Sequence, residues 1–181
     1  MDNWRLKSTD IPKILYRVQF PHSATTYDDG FGFSAADNTS FYSILKKSKF
    51  RSSLESHLNW NATKSATSYG DLAPSSLYIS LFSDFERAIT WVNSWSERNE
   101  SKPDAVIYAI LGRELEDVWV FKATDFLAVK PGWKPINLVG GEEAHTDEYL
   151  VLHDIPASAI MSDVNGNAIS ECPMTLRVYD G

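Results

Sequence analysis

A single cysteine, Cys172, stands in 181 residues, so no intrachain disulfide can form and the thiol reads as a small core or surface residue. Positive charge is also scarce. Seventeen basic side chains face 24 acidic ones, for a net charge of −7 and a pI near 5.0. That balance argues against a nucleic-acid partner, which requires a basic face to displace counterions. No run approaches the ~18 consecutive apolar residues of a membrane span. Met1 to Lys13 is polar and holds Pro12 rather than a secretory apolar core. The resulting expectation is a chain with no membrane association, cytoplasmic by default.

Metal motifs are missing too. His22, His57, His145 and His153 form no His-x-x-x-His pair, and one cysteine cannot build a zinc cluster. A His145/His153 pair flanking Glu148 would have its backbones ~26 Å apart on an extended strand. No metal is expected. Gly-x-Ser-x-Gly elbows, phosphate-cradling Gly-rich loops and dinucleotide fingerprints are absent. Cys172 has no basic neighbour to activate it.

What remains is 43% hydrophobic and 13% aromatic, enough to bury a core in one compact domain spanning residues 1–181. Charge is uneven. Residues 1–60 carry 8 basic and 6 acidic groups (+2), and the remainder 9 and 18 (−9). The basic third either holds an anion or presents Lys46, Lys47, Lys49 and Arg51 to water.

Lys13 to Phe20 (KILYRVQF) alternates with period two and reads as a strand, ended by Pro21. Tyr27 to Gly32 reads as a loop. Phe41 and Leu45 share one helical stripe and Phe50, Leu54 and Leu58 another, which predicts two helical pieces, roughly 39–49 and 51–60. Residues 61–76, rich in Ser, Thr, Ala and Asn, read as a connection. Leu77 to Phe82 (LYISLF) is a short strand, and Ser83-Asp84-Phe85-Glu86 has the spacing of a capping box opening a helix with Ala88, Ile89, Val92 and Trp95 on one face. Further strands are predicted at 105–111, 118–121, 126–130, 149–152 and 176–179. Helices in the first half and strands in the second give an α+β class.

Three polar residues sit on apolar elements. Arg17 inside the first strand needs a carboxylate, carbonyls or a bound anion if that strand is internal, and only water if its face is solvated. Ser80 is the polar residue of LYISLF, either a satisfied strand hydroxyl or a functional one. Glu148 opens the strand EYLVL after an acidic loop, as an ordinary boundary residue or as a carboxylate at a strand mouth.

In this order, the three resemble the cholera-toxin-like branch of the ADP-ribosyltransferase superfamily. Leu15-Tyr16-Arg17 is similar to that family's first strand, and His57 in LESHLNW matches its supporting histidine. Tyr78-Ile79-Ser80 resembles its serine strand, and Thr146-Asp147-Glu148 running through YLVLHD into Ile155-Pro156-Ala157-Ser158-Ala159-Ile160 resembles its glutamate block. HTDEYLVLHDIP also resembles uncharacterised domains of fungal proteins.

The resemblance implies an ADP-ribosyltransferase-like split β-sandwich with N-terminal helices, taking NAD⁺ as substrate. It implies an enzyme, either a mono-ADP-ribosyltransferase modifying a protein or other macromolecule, or an NAD⁺ glycohydrolase. Glu148 would stabilise the oxocarbenium-like ribose, Ser80 would orient Glu148, and Arg17 would pair with a phosphate or ribose oxygen. Tyr16, His57, Ser80, Phe82 and Arg17 would contact the dinucleotide, with Tyr78 also available to line the nicotinamide pocket. The chain departs from the pattern where Ser80-Leu81-Phe82 replaces Ser-Thr-Ser, and where Thr146 replaces the Glu or Gln of arginine-modifying members. By the same resemblance Thr146, Glu142 and Glu143 would form the acceptor loop, and the departure at 146 speaks against arginine as the acceptor. The alternative is a catalytically degenerate relative that keeps the fold as a binding or interaction module.

Overall fold

The structure is a computed structural model that describes residues 4–20, 23–37, 47–58, 76–99, 105–126 and 142–161. Its strands are β1 (Ile14–Gln19), β2 (Thr26–Asp28), β3 (Gly32–Ser34), β4 (Tyr78–Phe82), β5 (Val106–Leu111), β6 (Val120–Lys122), β7 (Glu148–Leu152) and β8 (Asp154–Pro156). Two α-helices are described, α1 (Lys47–Leu58) and α2 (Phe85–Asn99). The class is α+β, as expected, although four of these strands already lie before residue 83, so strands and helices interleave rather than divide between halves.

Five strands form one sheet in the order β5-β1-β4-β7-β6, and three form a second in the order β2-β3-β8. All the pairings between these strands are antiparallel. β1 pairs along its whole length with β5 but meets β4 at the single position Tyr16↔Phe82. β4 in turn pairs fully with β7, from Tyr78↔Leu152 to Phe82↔Glu148. The centre of the large sheet is therefore continuous on the β4–β7 side and open on the β1–β4 side, next to Ser80.

Alternation along the strands separates two faces. One face buries Leu15, Ile79, Leu81 and Val151 against Phe33 and Ile155 of the small sheet. Across the other face lie the helices. Phe50, Leu54 and Leu58 of α1 pack on Tyr78, Leu150, Leu152 and Phe121, while Ala88 and Val92 of α2 pack on Tyr16, Val18, Phe82 and Ile107. Burying such side chains stabilises by roughly 1.5–3 kcal/mol each.

The chain passes from the large sheet to the small one at His153, whose φ is 67°. Histidine tolerates this left-handed region better than most residues. The bend is pinned because His153 N–H donates to Leu77 O at 2.8 Å and Ala35 N–H donates to His153 O at 2.6 Å. Gly32, with φ 96°, faces Pro156 in the β3–β8 register. A Cβ there would stand 2.1 Å from Ile155 O, so the small sheet requires glycine at this position.

Several elements differ from their predicted form. α1 runs unbroken through Phe50, because Phe50, Leu54 and Leu58 share one buried stripe at i, i+4, i+8; residues 39–46 lie outside the described residues. Asp84, not Ser83, caps α2: the helix starts at Phe85, and Arg87 N–H donates to Asp84 Oδ1 at 2.7 Å. Tyr27 to Gly32 is not a plain loop but a tight hairpin joining β2 and β3, its turn closed by Asp28 Oδ1 accepting from the N–H groups of Gly30 and Phe31. Phe126 ends a short 3-10 turn, Ala123–Phe126, and residues 127–130 of the strand predicted at 126–130 lie outside the described residues. The predicted strand at 176–179, Cys172, residues 61–75 and His22 lie outside the described residues.

Candidate active site

β1, β4 and β7 are neighbours, and each brings one of the singled-out polar residues to the opening between β1 and β4. Arg17 Nη1 donates to Ser80 O at 3.1 Å, a carbonyl beside the point where the β1–β4 ladder stops. Its Nη2 reaches Gln19 Oε1 at 3.3 Å, and Gln19 Nε2 in turn donates to Thr25 O at 2.8 Å. Arg17 Nε is buried and has no hydrogen-bond partner among the described residues. Burial lowers the guanidinium pKa to about 10, against the pull of Glu148. The group remains cationic at neutral pH.

Glu148 is 8% exposed at the first position of β7, opposite Phe82. Burial alone would raise its pKa. The hydrogen bond from His145, the potential of His57 and His145, and the Ser80 hydroxyl together outweigh that effect and hold it below the ordinary carboxylate value. Glu148 is thus a buried carboxylate that stays ionised.

His57, on the last turn of α1, links the helix to the serine strand. Its Nδ1 lies 2.6 Å from Ser76 Oγ and its Nε2 lies 2.9 Å from Ser80 Oγ. Burial depresses the imidazole to about 4, so the ring is neutral at physiological pH. The tautomer follows from the partners. The Ser80 hydroxyl has one proton, which the ionised Glu148 accepts, so Ser80 Oγ must take a proton from Nε2, and Ser76 Oγ, which accepts from Tyr78 N–H at 3.1 Å, gives its own proton to Nδ1. His57 then carries its proton on Nε2 and donates it to Ser80 Oγ, which leaves the Ser80 hydroxyl proton for Glu148. A single directed chain runs from the Tyr78 backbone through Ser76, His57 and Ser80 to the carboxylate.

The expected aromatic lining is packed into the core. Tyr16 and Phe82 are 8% and 5% exposed, and Tyr16 packs at a tilt against Phe85 with ring centroids 5.2 Å apart. Tyr78 is 2% exposed and meets His57 edge-on at 5.5 Å, so it braces the imidazole from behind. Leu81 belongs to the buried cluster between the sheets. Of the residues expected to form an acceptor loop, Glu143 and Thr146 are exposed, while Glu142 begins the 3-10 turn Glu142–His145.

A site residue that sequence reading considered only as a metal ligand is His145. Its Nδ1 bonds Glu148 Oε2, and the two side chains are 12% and 10% exposed. The i, i+3 spacing in His145-Thr146-Asp147-Glu148 was the available signal, since a turn before a strand folds such a pair together. The turn is held in place from α2 and from the end of β4: Arg87 Nη2 donates to Ala144 O at 2.6 Å, and Ser83 N–H, just after β4, donates to Asp147 O at 2.9 Å. His153 sits at the opposite end of β7 and takes no part. Among the described residues no cluster of three or more His, Cys, Asp or Glu could hold a metal, and no helix is long and apolar enough to cross a membrane.

A family model described as "Domain of unknown function (DUF7587)" matches residues 10–169. The chain belongs to the DUF7587 family. No curated protein matches it. The DUF7587 match spans the whole assembly from Arg17 to Glu148, including the supporting His57 and His145. In this DUF7587 chain the assembly offers one fixed anion, one fixed cation with a donor unused among the described residues, and a neutral histidine relay that ends on the anion.

Proposed function

We propose that the chain is an ADP-ribosyltransferase-like enzyme, a split β-sandwich that binds NAD⁺ at the opening between β1 and β4 and cleaves its nicotinamide–ribose bond. The observation that carries this reading is one buried, ionised Glu148 bonded by His145 and Ser80, with Ser80 in turn held at its hydroxyl by His57 and at its carbonyl by Arg17. Cleavage builds positive charge on the ribose, as in glycoside hydrolysis through an oxocarbenium-like transition state. A carboxylate already desolvated and fixed stabilises that charge without reorganising. Glu148 takes this role and accepts the ribose 2′-hydroxyl, while Ser80 and His57 keep its orientation.

Arg17 suits the other end of the ligand. Its buried Nε has no acceptor among the described residues, and a phosphate or ribose oxygen would satisfy it. Thr146, exposed where arginine-modifying relatives of the wider superfamily carry Glu or Gln, favours hydrolysis of NAD⁺ or transfer to an acceptor other than arginine.

A non-catalytic binding module is the competing reading, favoured by the burial of Leu81 and Phe82 where hydroxyls would otherwise shape the cleft. Calorimetry with NAD⁺, run beside an assay for free nicotinamide, separates the two. Binding with release supports the enzyme, binding without release supports the module, and absence of both removes the NAD⁺ reading.

A further inference from the structure

We infer that His145 is the general base of the proposed reaction, paired with Glu148 and activating an O–H nucleophile. The inference rests on the NAD⁺-cleaving role of Glu148 and assigns the group that completes it.

The geometry comes first. Glu148 is an acceptor because it is ionised, so His145 must carry its proton on Nδ1, the atom in contact with Oε2. With Nδ1 protonated, the base form of the ring carries its lone pair on Nε2, and none of the described residues supplies that atom with a hydrogen-bond donor. A carboxylate that fixes the tautomer of a histidine and leaves its other nitrogen unbonded is the arrangement by which proteins make an imidazole accept a proton during nucleophilic attack. The side chain is 12% exposed, which leaves it reachable, and the backbone around it is anchored by Arg87 at Ala144 and by Ser83 at Asp147. Glu148 serves both partners, because an ionised carboxylate has about four lone-pair positions.

The step balances without a further reactant. The ribose–nitrogen bond breaks and nicotinamide leaves with the bonding pair as a neutral molecule. Water or an acceptor hydroxyl forms the new C–O bond at the same carbon and gives its proton to His145 Nε2. The imidazolium, stabilised by Glu148, then releases that proton to solvent. A guanidinium acceptor would instead bring a further cation toward the newly charged His145. The assigned nucleophile class is therefore a neutral hydroxyl or water.

His145→Ala removes the base, and His145→Asn removes it while keeping a donor for Glu148, so a folding defect in the first does not carry into the second. Both are assayed for NAD⁺ affinity by calorimetry and for nicotinamide release with and without sodium azide, an anionic nucleophile that has no proton to lose. The expected result is NAD⁺ affinity close to that of the unaltered protein, hydrolysis lower by about 10²-fold or more, and recovery in azide with a glycosyl azide as product. Hydrolysis at the unaltered rate in His145→Asn, or a loss that azide does not restore while NAD⁺ still binds, overturns the base and leaves the parent reading standing. An unaltered protein that releases no nicotinamide overturns both.

Discussion

His57 Nε2 stands 2.9 Å from Ser80 Oγ, and this contact joins a helix to the strand that faces the buried carboxylate. It exists because α1 packs Leu54 and Leu58 onto Tyr78 and Leu150, which brings the intervening histidine down onto β4. The imidazole is consequently held neutral in a place where water would otherwise let it charge.

That state predicts a pH-dependent stability. The unfolded histidine takes up its proton near 6.5 and the folded one only near 4, so between these values the unfolded chain binds more protons and stability falls as the pH is lowered. The full effect is on the order of 3 kcal/mol. Glu148, whose folded pKa lies below its unfolded value of 4.5, contributes stability that is fully present above about 4.5 and lost further down. Urea midpoints measured from pH 7.5 to 4 should decline, and His57→Gln should flatten the decline between 6.5 and 4.5. An equally steep curve in the variant contradicts a buried neutral His57.

Arg17→Lys tests the anion end. Lysine keeps the charge but lacks both Nε–H and the planar fork. NAD⁺ affinity by calorimetry should fall by about 10- to 100-fold, the size of one or two charged hydrogen bonds. Affinity unchanged within a factor of two places the phosphates elsewhere.

Asp84→Ala should destabilise the protein by about 1 kcal/mol, through loss of the cap on Arg87 N–H. Ser83→Ala should have a smaller effect, since Ser83 contributes its backbone to Asp147 O. Thermal melts of the two variants in parallel decide between the two residues, and the reverse ranking contradicts the assignment.

Gly32→Ala should abolish folding or lower the melting temperature more than either of these. The added Cβ meets the backbone of β8, which cannot turn aside as a side chain could. A melt like that of the unaltered protein contradicts the β3–β8 packing.

Much of the framework is legible in the sequence because it rests on periodicity. Lys13 to Phe20 alternates over a full strand, and Ala88 and Val92 mark a helix face, so β1 and α2 declare themselves. β2 and β3 do not, because three residues are too few for a period and their pairing is set by Asp28 and Gly32 in the turn. At the N-terminus of α2, Ser83 and Asp84 are equally good caps by type, and only the start of the helix at Phe85 distinguishes them. Arg17, Ser80 and Glu148 stand out as polar residues on apolar strands. His145 does not, since its role depends on a turn geometry and on the contact from Arg87, 57 residues away.

The central claim is that Glu148 acts on NAD⁺ as an ionised carboxylate, and Glu148→Gln tests it most directly, because the amide keeps the shape and removes the charge. Nicotinamide release is followed over time for both proteins at pH 7.5, with NAD⁺ binding measured in the same preparations. The account predicts release by the unaltered protein and a rate lower by about 10²-fold or more in Glu148→Gln, with binding of NAD⁺ retained. Equal rates in the two proteins, or no release by the unaltered one, would contradict it.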